Sequence, residues 1–161
     1  MKVLGINSSP REESNVRIAL EAALEAAGAK GAETEIIDVN GLAISPCQAD
    51  NYCKEHDSEC ALNDDMADIY KKMDIFVMPS KYETFGLVYV EAMSCGLPII
   101  YTRGQGFDGY FKEGEVGYSV KYNDPKEISA FIEKIINNYN SISKRCIEYS
   151  DRFKWKDIAN R

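Results

Sequence analysis

Two glutamates eight residues apart, Glu83 and Glu91, enclose the run Phe85-Gly86-Leu87. A helix beginning at this glycine would present the backbone N–H groups of Gly86 and Leu87 at its positive end, an arrangement suited to a diphosphate. Taken singly, the two acids read as a loop acid and a solvated helix acid. A second constellation is Ser8-Ser9-Pro10-Arg11-Glu12-Glu13-Ser14-Asn15. Hydroxyls, backbone N–H groups and one guanidinium between a strand pattern and a helix pattern make an anion site. Ser14 or Asn15 serves equally as a helix cap with Pro10 shaping the turn, and the segment by itself supports both. A third group, Cys47, Cys53 and Cys60 with His56 among them, has the residue types of a metal site. A lone histidine in a loop is ordinarily solvated, so His56 adds little.

The elements that must position these residues alternate between two periods. Lys2 to Asn7 reads as a buried parallel strand. A helix follows from Ser14 or Asn15 through Ala29, with Leu20, Ala23, Leu24 and Ala27 on one stripe. Glu33 to Val39 is a second strand, residues 40 to 62 a loop, and Asp64-Asp65 cap a short helix to Lys72. Ile75 to Met78 is the third strand, Leu87 to Cys95 a helix ended by Gly96, and Pro98 to Tyr101 the fourth strand. Beyond a glycine-rich loop, Gly117 to Val120 is the fifth. Asp124-Pro125 opens a helix whose stripe is Ile128, Phe131, Ile132, Ile135, Ile136 and Tyr139, and a last helix runs from Ser141 to Phe153. The expected fold is α/β: one three-layer, doubly wound, five-stranded parallel sheet of flavodoxin-like order 2-1-3-4-5, with ligands at the C-terminal edge of the strands.

The chain has 161 residues and a formal net charge of −7, which fits one domain over residues 1–161. Without a cluster of Lys and Arg, this acidity argues against nucleic acid and anionic membrane surfaces as partners. No apolar run approaches the roughly 20 residues of a membrane span. The N-terminus passes from Lys2-Val3-Leu4-Gly5-Ile6 into polar residues too soon for a signal peptide, so a cytoplasmic location is expected. Five cysteines, an odd number, then read as reduced thiols or metal ligands rather than a disulfide framework.

Composition changes within the chain. Residues 1–72 hold 7 Lys and Arg against 14 Asp and Glu, whereas the remainder is balanced, so the net charge belongs to the first part. The first part has 11 alanines and two aromatics, Tyr52 and Tyr70, against 3 alanines and 15 aromatics in the second, two different vocabularies. The first, through Val3-Leu4-Gly5-Ile6-Asn7-Ser8-Ser9-Pro10-Arg11, the spaced cysteines and Asp64-Asp65-Met66, resembles the NADPH-dependent FMN reductase and iron–sulfur flavoprotein family. That resemblance implies Ser8, Ser9, Arg11, Ser14 and Asn15 as holders of an FMN phosphate. The family's iron–sulfur branch has four cysteines, which fall here at positions 47, 50, 53 and 60. Asp50 breaks the set, and three thiolates with a carboxylate match a four-thiolate cluster poorly, so no bound metal is expected.

From Asp74-Ile75-Phe76-Val77-Met78-Pro79-Ser80 through Glu83-Thr84-Phe85-Gly86-Leu87, Glu91-Ala92-Met93, Gly96-Leu97-Pro98, Gly114, Gly117 and Trp155, the second part resembles the C-terminal donor domain of retaining two-Rossmann-domain glycosyltransferases. The resemblance implies that Glu91 holds the ribose hydroxyls of a nucleotide-sugar, that Glu83 contacts the donor sugar, and that Gly86 and Leu87 meet the diphosphate. The two parts, 1–72 and 73–161, then read as half-domains joined within residues 69–75. With no acceptor domain, and with flavoprotein residues where the basic donor-phosphate contacts belong, the expectation is an engineered chimera. It would be a de novo protein without catalytic residues or evolved activity, not an enzyme. No cofactor is expected, FMN being the candidate if the phosphate loop keeps its ligand. The expected partner is a small phosphorylated molecule, and the expected state a monomer. FMN-dependent oxidoreduction and nucleotide-sugar binding by a glycosyltransferase fragment are the alternatives.

Overall fold

The computed structural model describes residues 2–45 and 62–153. The chain divides into two compact units, Met1–Ile69 and Tyr70–Arg161.

In the first unit, β1 (Lys2–Asn7) and β2 (Glu33–Asp38) pair in parallel from Lys2↔Glu33 to Asn7↔Asp38. The crossover between them is α1 (Asn15–Gly28), begun by Ser14, whose Oγ accepts from the Arg17 N–H at 3.1 Å. Gly5 lets the helix close on the strand: a Cβ there would lie 3.0 Å from a Leu24 methyl and 3.4 Å from one of Leu20. A 3-10 turn, Val39–Gly41, follows β2. The next described helix is α2 (Asp65–Lys71), with Asp64 Oδ1 accepting from Met66 N at 3.1 Å and Asp65 Oδ2 from Ala43 N at 2.8 Å.

The second unit contains β3 (Phe76–Val77), α3 (Leu87–Ser94), β4 (Ile99–Thr102), β5 (Gly117–Val120), α4 (Pro125–Asn137) and α5 (Tyr139–Ser150), ending in a 3-10 turn, Asp151–Phe153. Its strands form a parallel sheet in the order β3-β4-β5. All four residues of β4 are buried, as a central strand covered on both faces requires. β5 starts against β4 so closely that a Cβ on Gly117 would come within 1.7 Å of the Ile99 carbonyl oxygen. Tyr89, Ala92 and Met93 of α3, Val116, Ile135 of α4 and Ile142 of α5 complete the core. Phe107 stands in the middle of an aromatic group, 5.2 Å from Tyr89, 5.3 Å from Tyr101 and 5.8 Å from Phe111 between ring centres.

The single five-stranded sheet of order 2-1-3-4-5 is not what the described strands form. They pair in two separate parallel sheets, β1-β2 and β3-β4-β5. β3 explains this. It is two residues long where four were expected, and its ladder runs to β4 through Phe76 N–H to Pro98 O and Met78 N–H to Ile100 O. So short a strand has one residue's donor and acceptor left for a second neighbour, too little to sustain a ladder.

Candidate functional site

The start of α3 is built by a glycine that no other residue replaces easily. Gly86 adopts φ 81° and ψ 64°, the left-handed region, and a Cβ there would meet the Tyr89 ring at 2.4 Å. Tyr89 is buried with its hydroxyl donating to Met78 O at 2.6 Å, so the ring cannot yield. No side chain caps the helix, and Leu87, its first residue, is 62% exposed. The first N–H groups of α3 thus open outward with the helix dipole behind them.

Glu83 precedes this start in the chain and Glu91 follows it by one turn. The Glu83 carboxyl carbon sits 3.4 Å from where a Gly86 Cβ would stand, so its charge lies beside the helix end. Its backbone is clamped: Glu83 N–H donates to Gln105 Oε1 at 3.0 Å, and Gly106 N–H donates to Glu83 O at 3.2 Å. Gly106 presses on the next residue, since a Cβ there would fall 1.7 Å from Thr84 O. Burial, then the Glu83 charge, pushes the Tyr89 phenol up to about 12. Glu91 lies on the second turn of α3, exposed, and Oε2 accepts from the Tyr70 hydroxyl at 3.3 Å. Tyr70 is buried, and burial followed by the Glu91 charge raises its pKa well above the ordinary phenol range.

The other predicted constellation lies in the first unit around an open concavity of about 830 Å³. Ser9, Arg11 and Ser14 line it, and so do Glu12, Glu13, Glu21 and Asp38. Ser14 Oγ is the α1 cap already described, and Ser9 Oγ accepts from Arg11 N at 3.3 Å. Ser8 and Asn15 are exposed. At the C-terminal ends of the strands, Asp38 accepts from Asn7 Nδ2 at 2.7 Å and from Arg17 Nη1 at 2.8 and 3.0 Å, and Arg17 Nε donates to Glu21 at 3.0 Å. The Asn7 amide and then the Arg17 guanidinium hold the Asp38 carboxyl below the usual carboxylate range. The hydroxyls and Arg11 have the donor chemistry a phosphate needs, surrounded by four carboxylates that oppose it.

Cys47, Asp50, Cys53, His56, Cys60 and Trp155 lie outside the described residues. Among the described residues no group of three or more His, Cys, Asp or Glu is arranged to hold a metal. No helix among them is long and apolar enough to cross a membrane. Sequence reasoning did not single out Tyr70, Gln105 or Gly106 as site residues. Gly106 carried a signal, being in the glycine-rich loop. A hydrogen bond across 21 residues, as between Tyr70 and Glu91, leaves no periodic trace.

The second unit, taken by itself, is an α/β unit of parallel strands with an uncapped helix start and the Glu83 carboxyl beside it. The sequence profile of glycosyl transferases group 1 matches residues 35–153, and the chain belongs to that family. An uncharacterized glycosyltransferase of Methanocaldococcus jannaschii is 32% identical over 96 residues, 58% of this chain and 27% of that protein. The iron–sulfur flavoprotein of Methanosarcina thermophila is 40% identical over 73 residues, 45% of this chain and 38% of its own length. The chain thus spans well under half the length of either relative. Anabaena HepE, solved in complex with UDP-glucose, shares the fold with a TM-score of 0.64 at 16% identity, over 92% of this chain and 35% of that one.

Both resemblances stand: the N-terminal segment to iron–sulfur flavoproteins, the C-terminal segment to glycosyltransferase donor domains. The engineered, de novo chimera without evolved activity does not. The family's match, residues 35–153, spans residues 69–75, where the junction was placed, and membership of an evolved family overturns the engineered origin. Nor does the expectation that the chain is not an enzyme survive membership of a transferase family. An FMN reductase is likewise unsupported as a description of the whole chain.

Proposed function

We propose that this chain carries the donor site of a glycosyltransferase, binding a nucleotide-sugar at the start of α3. The observation that carries the reading is the uncapped, outward-facing start of α3 between Glu83 and Glu91. The N–H groups of Gly86 and Leu87 receive the diphosphate, Glu91 the ribose hydroxyls and Glu83 the sugar. The solved UDP-glucose complex of a protein sharing the fold supports the same ligand class. In the reaction the bond between the anomeric carbon and a diphosphate oxygen breaks, its electron pair leaving with the diphosphate. An acceptor hydroxyl forms the new bond to the anomeric carbon and gives its proton to the departing diphosphate oxygen. Charge accumulates on the departing oxygen, and a fixed helix end stabilises it without reorganisation. Glu83, held through its backbone by Gln105 and Gly106, orients the sugar.

The test is a thermal-shift series with UDP, GDP and FMN, together with an assay of nucleoside diphosphate released from UDP-glucose and GDP-mannose. A nucleoside diphosphate is expected to raise the melting temperature, and Glu91→Ala to remove the shift, since a ligand stabilises the state it binds. A flat response to both nucleotides sinks the reading.

A second reading concerns the first unit, where Ser8, Ser9, Arg11, Ser14 and Asn15 are the proposed contacts of an FMN phosphate. The donor chemistry of that loop and the likeness to an iron–sulfur flavoprotein favour it. Quenching of flavin fluorescence on titration, lost in Arg11→Ala, is the expected result, and unchanged fluorescence overturns it.

A further inference from the structure

We propose that Tyr70 is a positioning residue for nucleotide recognition, its buried hydroxyl holding the Glu91 carboxylate in the orientation that receives the two ribose hydroxyls. The inference rests on the nucleotide-sugar reading above and deepens it.

An exposed glutamate is free to turn. A carboxylate that accepts two vicinal hydroxyls must present its oxygens in one plane, yet Glu91 on a solvated helix face has three side-chain torsions to settle. Among the described residues its carboxylate accepts one hydrogen bond, from Tyr70 to Oε2. A carboxylate has about four lone-pair positions, so this bond leaves acceptor capacity on both oxygens. The donor itself is fixed, for Tyr70 is 8% exposed and its ring is packed. The Glu91 backbone oxygen accepts from Ser94 Oγ and from Cys95 N, bonds that do not orient the carboxylate. Burial and the neighbouring negative charge keep the phenol protonated across neutral and mildly alkaline solution, so it remains a donor wherever Glu91 is ionised. Tyr70 lies outside Glu83-x7-Glu91, and nothing in that spacing points to it.

The experiment uses the full chain and measures dissociation constants for UDP and for 2′,3′-dideoxyuridine diphosphate, which lacks both ribose hydroxyls. Tyr70→Phe keeps the ring and removes the donor. It is expected to weaken UDP binding about three- to tenfold, the range of the net contribution of one hydrogen bond. It should leave the affinity for the dideoxy compound unchanged. In a Glu91→Gln background, where the carboxylate is already gone, the Tyr70→Phe change should have no further effect on UDP. Equal weakening of both ligands means a packing role and overturns the inference. Unchanged UDP binding in Tyr70→Phe overturns it too, while leaving the nucleotide reading intact. If the wild-type chain binds neither compound, the nucleotide reading falls and the inference with it. Should Tyr70→Phe fail to fold, Tyr70→Met carries the test: it also removes the donor and keeps an apolar side chain, it should weaken UDP and spare the dideoxy compound, and equal weakening of both overturns the inference.

Discussion

Gly86 and Gly31 make a controlled pair at the scale of single residues. Both adopt a positive φ, 81° and 87°, but a Cβ on Gly86 strikes the Tyr89 ring whereas one on Gly31 meets nothing within 4 Å. Gly31→Ala should therefore cost only the left-handed strain, about 1 kcal/mol. Gly86→Ala should cost about 2–4 kcal/mol, strain and overpacking together, and lose nucleoside diphosphate binding. Urea titration of the two variants checks the difference, and equal costs would mean that the Tyr89 ring moves aside. Cys146 supplies a pH dependence of known sign. It is fully buried, its thiol donates to Val116 O at 3.3 Å, and burial pushes it up to about 12. An unfolded thiol ionises near about 8.5, so above that pH the unfolded chain binds fewer protons than the native one and stability falls as pH rises. The loss levels off as the folded thiol itself ionises near 12. Denaturation at pH 7 and pH 10 should show a smaller alkaline loss in Cys146→Ala than in the wild type.

The element best written into the sequence is α4. Asp124 Oδ1 accepts from Lys126 N and Glu127 N at 3.1 Å each, with proline at the first helical position. Asp124→Ala should cost about 0.5–2 kcal/mol in chemical denaturation, because two orphan donors lose their acceptor at once. Chemistry this local can be read from residue types alone. Ser14 at α1, Gly86 at α3 and Gly96 after it are legible for the same reason, since caps are decided within four residues. β3 is not. Its apolar run Ile75-Phe76-Val77-Met78 promises a full strand, but length along the sheet depends on the partner, and β4 engages only Phe76 and Val77 in the ladder. Likewise Glu83 and Glu91 announce themselves by spacing, whereas the Gln105-Gly106 clamp on Glu83 comes from a loop 22 residues away. Gln105→Ala removes half of that clamp. With UDP-glucose as substrate it should raise the Michaelis constant severalfold while leaving the melting temperature nearly unaltered.

Across the whole molecule, apolar burial is unevenly distributed. Among the described residues, Leu24, Ile37 and Ile69 are the buried hydrophobic residues of the first unit, while the second buries Tyr89, Ile99, Ile100, Tyr101, Phe107, Val116 and others. Protection against amide hydrogen exchange follows buried apolar contacts, so β4 and β5 should exchange slowest and β1 and β2 distinctly faster. Uniform protection would contradict this. The same imbalance explains why composition misleads about an engineered origin. An Ala-rich helix beside an aromatic-rich core looks like two proteins joined by design, yet composition reports how each unit fills its own interior and says nothing of how the chain came about. The family profile, running from residue 35 to 153, depends on the order of residues instead.

The bond from Tyr70 to Glu91 has a practical side for dissecting the chain. The sequence motifs suggest a cut at residue 73, but the family's match begins at residue 35 and the compact unit at Tyr70. A fragment cut at residue 73 would retain both glutamates and the whole of α3, yet lack the side chain that steadies one of them. Started at Tyr70, three residues earlier, the fragment would keep that partner, so the choice of first residue in an expression plasmid becomes a test of affinity.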